Sequence, residues 1–290
     1  MPGQTILFGA TGYTGRLTAA AMVRRGARPV LAARSEGPLR ELAEELGGLE
    51  WRTADVTRAE TVRALVSGPD DVLVTTVGPF MRFGEPAARA AVDAGCAYLD
   101  STGETPFIRD VFQRLGPEGS RSGARMVTAF GYDWVPGNLA GAIALDEAGD
   151  AAVRLDIGYF FTGGSASADS ASGGTRASMV GVMLEPSHTF ARGGLQIERG
   201  GARVRAFDVR GRDLSGLSVG SSEAFALPRL APALQAVDVY LGWFGPFSRQ
   251  MQALSLGTSL ATKVPGVKGA LGSLAGRFVQ GSTGGPDAEA

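Results

Sequence analysis

Three glycines close to the N-terminus have the spacing and the context of a phosphate-binding turn. Gly9, Gly12 and Gly15 follow an apolar run at residues 5–8 and begin a segment with helical spacing. Gly9 would permit a sharp turn, Gly12 would let the backbone meet a pyrophosphate, and Gly15 would let helix and strand approach. The start of the helix would offer unpaired N–H groups and a positive dipole end to the phosphates. An ordinary tight turn is the alternative.

A position after the second predicted strand indicates which dinucleotide such a turn would bind. NAD sites usually place a carboxylate ~20 residues beyond the glycines, where it binds the ribose 2′-hydroxyl. Arg34 and Ser35 stand there instead, and a guanidinium and a hydroxyl suit a 2′-phosphate. The nearby carboxylate of Glu36 weighs against binding of a phosphate at this position. In the alternative interpretation, Arg34 is a solvated surface residue that binds no cofactor. We predict NADP(H) as the cofactor.

Two later segments are predicted to reach the same site. Asp55, after the third predicted strand, would contact the adenine edge or cap the following helix, and the sequence leaves both open. The segment 77–80 ends the fourth predicted strand, at the edge where ligands enter parallel sheets. There Gly78 would let the backbone approach the cofactor, Pro79 would fix the loop and Phe80 would line the nicotinamide side, with a plain turn as the alternative. The predicted cofactor contacts are Gly9, Thr11, Gly12, Tyr13, Thr14, Gly15, Arg34, Ser35, Asp55, Val77, Gly78, Pro79 and Phe80.

Tyr132 and Asp133 are the candidate catalytic residues. They follow the last predicted strand of the alternating region, and hydride transfer needs a proton donor where the product requires one. Non-catalytic roles agree with the sequence equally well: Asp133 would cap a helix, and Tyr132 would pack against other side chains. The Tyr-x-x-x-Lys pair of short-chain dehydrogenases is absent, because the only lysines are Lys263 and Lys268.

Two further side chains are candidate substrate ligands. Glu104 would bind substrate or, more simply, begin the helix that follows it. Thr175 stands beside two glycines at a predicted helix N-terminus, where it would hold a carboxylate or thioester oxygen. His188 is the only histidine, and a lone histidine is more often a packed or surface residue than a catalyst.

The composition excludes several classes of protein. The 28 basic and 29 acidic residues leave a formal net charge of -1, so no attraction to nucleic acid is expected. A single cysteine and a single histidine argue against a metal site, and we predict none. No apolar run approaches the ~20 residues of a membrane-spanning helix, and no secretory signal is visible. We expect a cytoplasmic protein.

The first part of the chain alternates short apolar runs with helical patterns. This rhythm predicts an α/β domain with a doubly wound parallel sheet of the Rossmann type, which we assign to residues 1–133. The predicted strands lie at residues 5–8, 29–33, 50–54, 71–77, 97–100 and 125–130. The rhythm stops after this region, and a second, α+β domain is predicted over residues 134–290.

Two segments of the second domain have patterns of their own. Residues 195–199 and 203–207 alternate in polarity around Gly200 and Gly201, which predicts a β-hairpin. Residues 230–247 are rich in apolar and aromatic side chains, which predicts the core of a homodimer. A lid over an acyl or polyketide-like substrate, or a helix at a membrane surface, is the alternative.

Four motifs occur in order along the chain. They are Gly9-Ala-Thr-Gly-Tyr-Thr-Gly15, Thr76-Val-Gly-Pro-Phe80, Tyr98-Leu-Asp-Ser-Thr-Gly-Glu104 and Gly131-Tyr-Asp-Trp-Val-Pro136. With Ser172-Gly-Gly-Thr175, the set resembles the saccharopine dehydrogenase-like oxidoreductases, especially the bacterial branch that includes trans-acting enoyl reductases. The resemblance covers essentially the whole chain.

The resemblance implies an NADP-binding Rossmann domain followed by a domain for substrate binding and dimerisation. It also implies NADPH-dependent reduction of a C=C, C=N or C=O bond, in a lipid, polyketide or other secondary-metabolite substrate. Family members usually continue beyond the equivalent of the last residues here, so the second domain is expected to be incomplete at its C-terminus. The alternative is a Rossmann scaffold reused for a non-redox reaction, or for ligand binding or regulation.

Overall fold

The chain divides into two compact units, Met1–Val135 and Pro136–Ala290. The computed structural model describes residues 3–160 and 186–261. Helix α8 (Val135–Ala148) begins at the boundary, which the sequence places after residue 133. Thr175 lies outside the described residues, as does the helix predicted to begin there.

Within residues 3–135, all of which the structure describes, six parallel strands form one sheet. They are β1 (Thr5–Phe8), β2 (Val30–Ala33), β3 (Trp51–Thr53), β4 (Val72–Thr75), β5 (Ala97–Asp100) and β6 (Arg125–Val127). Their order is β3-β2-β1-β4-β5-β6, with every neighbouring pair parallel. The order of the strands reverses between β1 and β4, and this arrangement confirms the predicted doubly wound sheet.

Helices cover both faces of this sheet. They are α1 (Tyr13–Arg24), α2 (Glu36–Glu45), α3 (Ala59–Arg63), α4 (Phe80–Phe83), α5 (Glu85–Ala94), α6 (Thr105–Asp110) and α7 (Gly116–Ser122), with a π-helical turn at Val111–Leu115. Leu7 packs with Leu39 of α2 on one face, whereas Ile6 packs with Val62 of α3 on the other. Because consecutive strand residues are buried on opposite faces, the strands are continuous apolar runs rather than alternating ones.

The second unit is built on a mixed sheet, as the predicted α+β class requires. Its strands are β7 (Arg154–Tyr159), β8 (Pro186–Ala191), β9 (Gly194–Arg199), β10 (Val204–Asp208), β11 (Asp213–Val219) and β12 (Ala236–Leu241). Its other elements are α8, α9 (Glu223–Ala226), α10 (Ser248–Ala261) and 3-10 turns at Gly149–Ala151, Leu227–Arg229 and Gly242–Phe247. Strand β12 pairs in parallel with β7 along its whole length, while β11 and β8 pair with its two ends in antiparallel.

The predicted hairpin across Gly200 and Gly201 is wrong. Strand β9 pairs with β8, and β10 pairs with β11. The Gly-Gly segment joins these two hairpins, where the N–H of Gly201 donates to the carbonyl of Ser218 and the Arg199 guanidinium donates to the carbonyl of Gly201. The alternating pattern identified both strands, but it carried no information about their partners.

The observed hairpins turn at two Arg-Gly pairs. Arg192 and Gly193 have φ values of 55° and 72°, and Arg210 and Gly211 have values of 55° and 75°. Positive φ at both central residues is the backbone of a type I′ turn, whose twist matches that of the flanking strands. Because arginine is less usual than asparagine or aspartate at the first position, sequence reasoning missed both turns.

The apolar stretch at residues 230–247 contains β12, the strand at the centre of this sheet. Val237, Val239 and Leu241 are buried within the chain itself. The stretch therefore supplies the core of its own unit, and the interpretation of it as a membrane-surface helix is wrong. Since the burial is intramolecular, it gives no support to the predicted homodimer, which stays a prediction.

The described helices are all too short or too polar to cross a lipid bilayer. Within residues 3–160 and 186–261, no three side chains among His, Cys, Asp and Glu are grouped as metal ligands. His188 is buried, and its ring lies 5.9 Å from that of Phe225. The structure thus places this histidine among packed side chains.

A buried polar network connects α8, β7 and α9. The hydroxyl of Tyr159 accepts the N–H of Gly137 at 2.9 Å and donates to Glu223 Oε1 at 2.7 Å. Ser222 Oγ accepts a hydrogen bond from Asn138 Nδ2 at 2.8 Å and donates to Glu223 Oε2 at 3.2 Å. Glu223 is fully buried, and this burial raises the pKa of its carboxyl from 4.5 to about 7.

Glu223 should make the stability of the chain fall as the pH rises. In the unfolded chain the carboxyl loses its proton near pH 4.5, whereas in the folded chain it keeps the proton until about pH 7. The free energy of unfolding should therefore drop by about 3 kcal/mol between acid and pH 8. Glu223→Gln should remove most of this dependence, as measured by urea unfolding at pH 5 and pH 8. The exposed Glu147→Gln is the matched control, and equal pH slopes in the parent and Glu223→Gln would contradict the assignment.

Candidate dinucleotide-binding site

The turn between β1 and α1 requires two of its glycines. Gly9 has a φ of +90°, and its N–H donates to the carbonyl of Ala32 at 2.8 Å. A Cβ at Gly9 would lie 2.8 Å from Thr76 Oγ1, and a Cβ at Gly15 would lie 2.1 Å from the carbonyl oxygen of Gly9. The turn is thus packed against the end of β4 on one side and against α1 on the other.

Gly12 differs from these two glycines because it faces open space. It is the residue before α1, in extended conformation, and its N–H donates to the carbonyl of Gly9 at 3.0 Å. A Cβ there would meet one described atom within 4 Å, the Gly9 oxygen at 3.3 Å. Tyr13 and Thr14 are also exposed, while Thr11 is half-buried. The first N–H groups of a helix have no intrahelical acceptor, so this surface can receive a phosphate.

The loop after β4 lies against this turn at the point where the strand order reverses. The N–H of Thr76 donates to the carbonyl of Phe8 at 2.9 Å, and Thr76 Oγ1 lies 3.3 Å from the carbonyl oxygen of Gly9. Val77 follows and is half-buried. Ligands of open parallel sheets bind at such a reversal, beyond the carboxyl ends of the strands.

The structure corrects the role predicted for Phe80. Its ring is buried and packs against that of Phe107, with 5.7 Å between the ring centroids. The ring therefore belongs to the core and does not line a cofactor. Gly78 and Pro79 are joined by a cis peptide bond, and both are exposed, as are Met81 and Arg82.

Glu104 binds the backbone of the same loop. Its Oε1 accepts the N–H of Phe80 at 2.6 Å, and its Oε2 accepts the N–H of Met81 at 3.0 Å. The N–H of Glu104 itself donates to Thr102 Oγ1 at 3.0 Å. Each carboxylate oxygen thus already has a backbone donor, and the predicted contact with substrate stays a prediction.

Asp100 is a residue of this edge that sequence reasoning missed. It ends β5 and is buried, and its Oδ1 accepts the N–H groups of Thr102 and Ala129, each at 2.9 Å. Ala129 has a φ of 58°, an uncommon value for a residue with a Cβ. Burial raises the pKa of the Asp100 carboxyl, and the two backbone N–H groups oppose that shift. The position of this acidic residue at the carboxyl end of a predicted strand was the feature of the sequence that could have identified it.

The adenine side of the predicted site is exposed and carries two arginines. Arg34 and Ser35 follow β2 and are both exposed. Asp55 Oδ1 accepts the N–H of Thr57 at 2.9 Å and its hydroxyl at 2.7 Å, so the carboxylate stabilises its own loop. These Thr57 bonds, together with the charges of Arg58 and Arg34, lower the pKa of Asp55. Arg58 is thus a second cation near this edge, and the adenine contact of Asp55 stays a prediction.

Tyr132 and Asp133 lie in the loop between β6 and α8. Both are exposed, Tyr132 to 86% of its surface. Desolvation nevertheless raises the pKa of the Asp133 carboxyl above its ordinary value. The structure therefore places both candidates at the carboxyl edge of the sheet, beyond β6.

A family model described as NAD(P)H-binding matches residues 9–98. The match begins at the first glycine of the turn and includes Arg34, Asp55 and the loop after β4. The first unit is therefore a nicotinamide-dinucleotide-binding domain.

The chain is also similar to curated mycobacterial proteins. It is 37% identical over 194 residues to a Mycobacterium tuberculosis protein provisionally named a trans-acting enoyl reductase, covering 63% of this chain and 45% of that protein. It is 37% identical over 142 residues to the trans-acting enoyl reductase of Mycobacterium ulcerans, covering 47% of this chain and 34% of that protein. The chain thus spans less than half the length of these relatives.

Among solved structures, the chain has the fold of the saccharopine dehydrogenase (L-Glu forming) from Saccharomyces cerevisiae. The TM-score is 0.54 at 16% identity, covering 83% of this chain and 56% of that one. This likeness concerns the fold, whereas the sequence similarity to the mycobacterial proteins concerns ancestry. The chain therefore contains an NAD(P)H-binding domain, is related in sequence to the mycobacterial trans-acting enoyl reductases and has the fold of a saccharopine dehydrogenase.

Proposed function

We propose that this chain forms part of an NADPH-dependent reductase acting on a lipid, polyketide or similar acyl substrate. The observation that carries the proposal is the exposed N-terminus of α1, set by Gly9 and Gly15 at the strand-order reversal. Of the C=C, C=N and C=O bonds considered, the names of the relatives favour C=C, since an enoyl group is a C=C bond conjugated to a carbonyl.

The open space at Gly12 fits a pyrophosphate. A ligand there would receive the free N–H groups at the start of α1, and the helix dipole would favour its negative charge. Gly12 has no positive φ, and a Cβ there would require the Gly9 oxygen, at 3.3 Å, to shift by a few tenths of an ångström. A larger side chain would fill the space that the ligand needs. The residues present therefore fit the diphosphate of the dinucleotide.

Gly12→Val should abolish most dinucleotide binding without unfolding the chain. The added methyl groups would occupy the phosphate space, and we expect an affinity loss of about 10- to 100-fold. Cofactor titration and circular dichroism on the same sample measure both properties. Gly37→Val is the matched control, because a Cβ at Gly37 meets no described atom within 4 Å. Retained affinity in a folded Gly12→Val protein would place the cofactor elsewhere.

The charges beyond β2 and β3 favour NADPH over NADH. Arg34 and Ser35 would bind the 2′-phosphate, and Arg58 adds a second positive charge near it. Asp55 would oppose a phosphate, but Arg58 and Arg34 both lie close enough to lower the pKa of its carboxyl, so the two positive charges outnumber the negative one. The exposed arginine pair therefore supports a phosphate rather than a free ribose hydroxyl.

Arg34→Ala should weaken NADPH binding roughly 10- to 100-fold, because a charge-assisted bond to phosphate is lost. NADH binding should change by about twofold or less, since a ribose hydroxyl takes little from the guanidinium. Dissociation constants for both dinucleotides, in the parent and in the variant, test this. Arg24→Ala, in the last turn of α1, is the matched control. Equal parent affinities for NADPH and NADH would refute the preference.

The loops at the carboxyl edge of the first sheet present apolar side chains to solvent. Met81 follows β4, and Phe130 and Tyr132 follow β6, each more than half exposed. Apolar surface at the mouth of a cofactor site suits an acyl chain better than a charged metabolite. This surface supports the lipid or polyketide class of substrate.

Asp133 and Tyr132 are the proposed proton donors. NADPH, when bound, supplies a hydride to one carbon of the C=C bond. The other carbon then needs a proton, which the Asp133 carboxyl or the Tyr132 hydroxyl would supply from the exposed loop beyond β6. Tyr132 would orient the acyl group or donate through its hydroxyl.

Asp133→Asn should lower kcat for reduction of an enoyl thioester about 10- to 100-fold, with NADPH affinity unchanged. Tyr132→Phe should have the same direction of effect, and the exposed Asp70→Asn is the matched control. The assay follows NADPH oxidation with enoyl thioesters of increasing chain length. NADPH binding without oxidation of any enoyl, imine or ketone substrate would favour the alternative, a scaffold for ligand binding or a non-redox reaction.

A further inference from the structure

The segment after β4 is held by two kinds of contact with α6 and with the residue immediately before it. The Phe80 ring packs on Phe107 in α6, and the N–H groups of Phe80 and Met81 are bound by Glu104 immediately before α6. A Cβ at Gly84 would lie 2.5 Å from the Phe107 ring, so α4 and α6 are in close contact. The exposed Gly78 and Met81 are thus adjacent to residues whose positions are fixed by packing and by hydrogen bonds.

Glu104 is in turn held in place by its own segment. Thr102 Oγ1 accepts its N–H, and Asp100 Oδ1 accepts the N–H of Thr102. The carbonyl of Glu104 accepts the N–H groups of Phe107 and Ile108 in the first turn of α6. The carboxylate therefore occupies a defined position, with both oxygens directed at the loop after β4.

We propose that Glu104 is a positioning residue, whose carboxylate holds the Gly78-Pro79 segment where the nicotinamide half of the dinucleotide lies. The inference rests on the proposed function, because that function places the dinucleotide at the reversal between β1 and β4. Glu104 acts through the backbone of Phe80 and Met81, by bonds to a charged acceptor that are stronger than those between neutral groups. It replaces the predicted direct contact with substrate.

The two roles of Glu104 differ in a way that can be measured. A positioning residue changes how the nicotinamide ring is held even when no substrate is present. A substrate ligand changes KM for the acyl substrate and leaves cofactor binding alone. The adenosine half of the cofactor binds at the other end of the site, around Arg34, and should not respond to Glu104 in either case.

The experiment compares two probes, NADPH and adenosine 2′,5′-bisphosphate, on the parent and on Glu104→Gln. The amide puts N–H₂ against one of the two backbone donors, so NADPH affinity should fall roughly tenfold and the fluorescence change of its bound nicotinamide should decrease. Affinity for adenosine 2′,5′-bisphosphate should stay within about twofold. Glu60→Gln, exposed on α3, is the matched control. Thr102→Val, which removes the acceptor of the Glu104 N–H, should give a smaller effect in the same direction.

Several results would overturn the assignment of Glu104. Unchanged NADPH affinity and fluorescence in Glu104→Gln would do so, as would a raised KM for the acyl substrate alone. Loss of both probes in a variant that is folded by circular dichroism would also overturn it, since the effect would not be confined to the nicotinamide half. If Glu104→Gln fails to fold, the same criteria apply to Thr102→Val. A parent protein that binds neither probe would instead refute the proposed function.

Discussion

The first unit depends on the packing of one backbone turn between β4 and α1. A Cβ at Gly9 would approach Thr76 Oγ1 to 2.8 Å, and a Cβ at Gly15 would approach the Gly9 oxygen to 2.1 Å. Neither position has room for a side chain. Glycine at both positions therefore lets the ends of β1 and β4 and the first turn of α1 meet where the strand order reverses. This contact leaves the N–H groups at the start of α1 facing solvent, which is the arrangement a diphosphate needs.

Two carboxylates join the loops after β4, β5 and β6 to one another. Asp100 accepts one backbone N–H from the loop after β5 and one from the loop after β6, and Glu104 accepts two from the segment after β4. Loops rarely offer their own partners for such N–H groups, so a carboxylate that accepts two of them satisfies donors that would otherwise need water. The loops after β4, β5 and β6 therefore form one connected edge. The side chains of a reaction site at this edge would be positioned by hydrogen bonds to residues at the ends of β5 and α6, and not by the loops alone.

The second unit uses its apolar residues internally. Val237 and Val239 are buried because β12 has neighbours on both sides, β7 along its length and β11 and β8 at its ends. Asp238, between them, is paired with Arg154 and Arg203. The two guanidiniums satisfy the oxygens of this buried carboxylate, and the pairing explains how an acidic residue fits inside an apolar strand. The buried residues of the stretch at 230–247 thus form part of this core, and the predicted homodimer stays a prediction.

The six strands of the first unit and the glycine turn after β1 could be predicted from local patterns, whereas helices α4 and α7 were not predicted. Apolar periodicity and glycine spacing are local, so strands at residues 5–8 and 97–100 have the bounds predicted for them. The tertiary structure decided what depends on distant partners. Glu104 and Phe80 are 24 positions apart, and nothing local to either predicts their hydrogen bond or the burial of the Phe80 ring. The pairing of β9 and β10 was likewise settled by neighbours elsewhere in the sheet, because an alternating pattern defines the faces of a strand but not its partner.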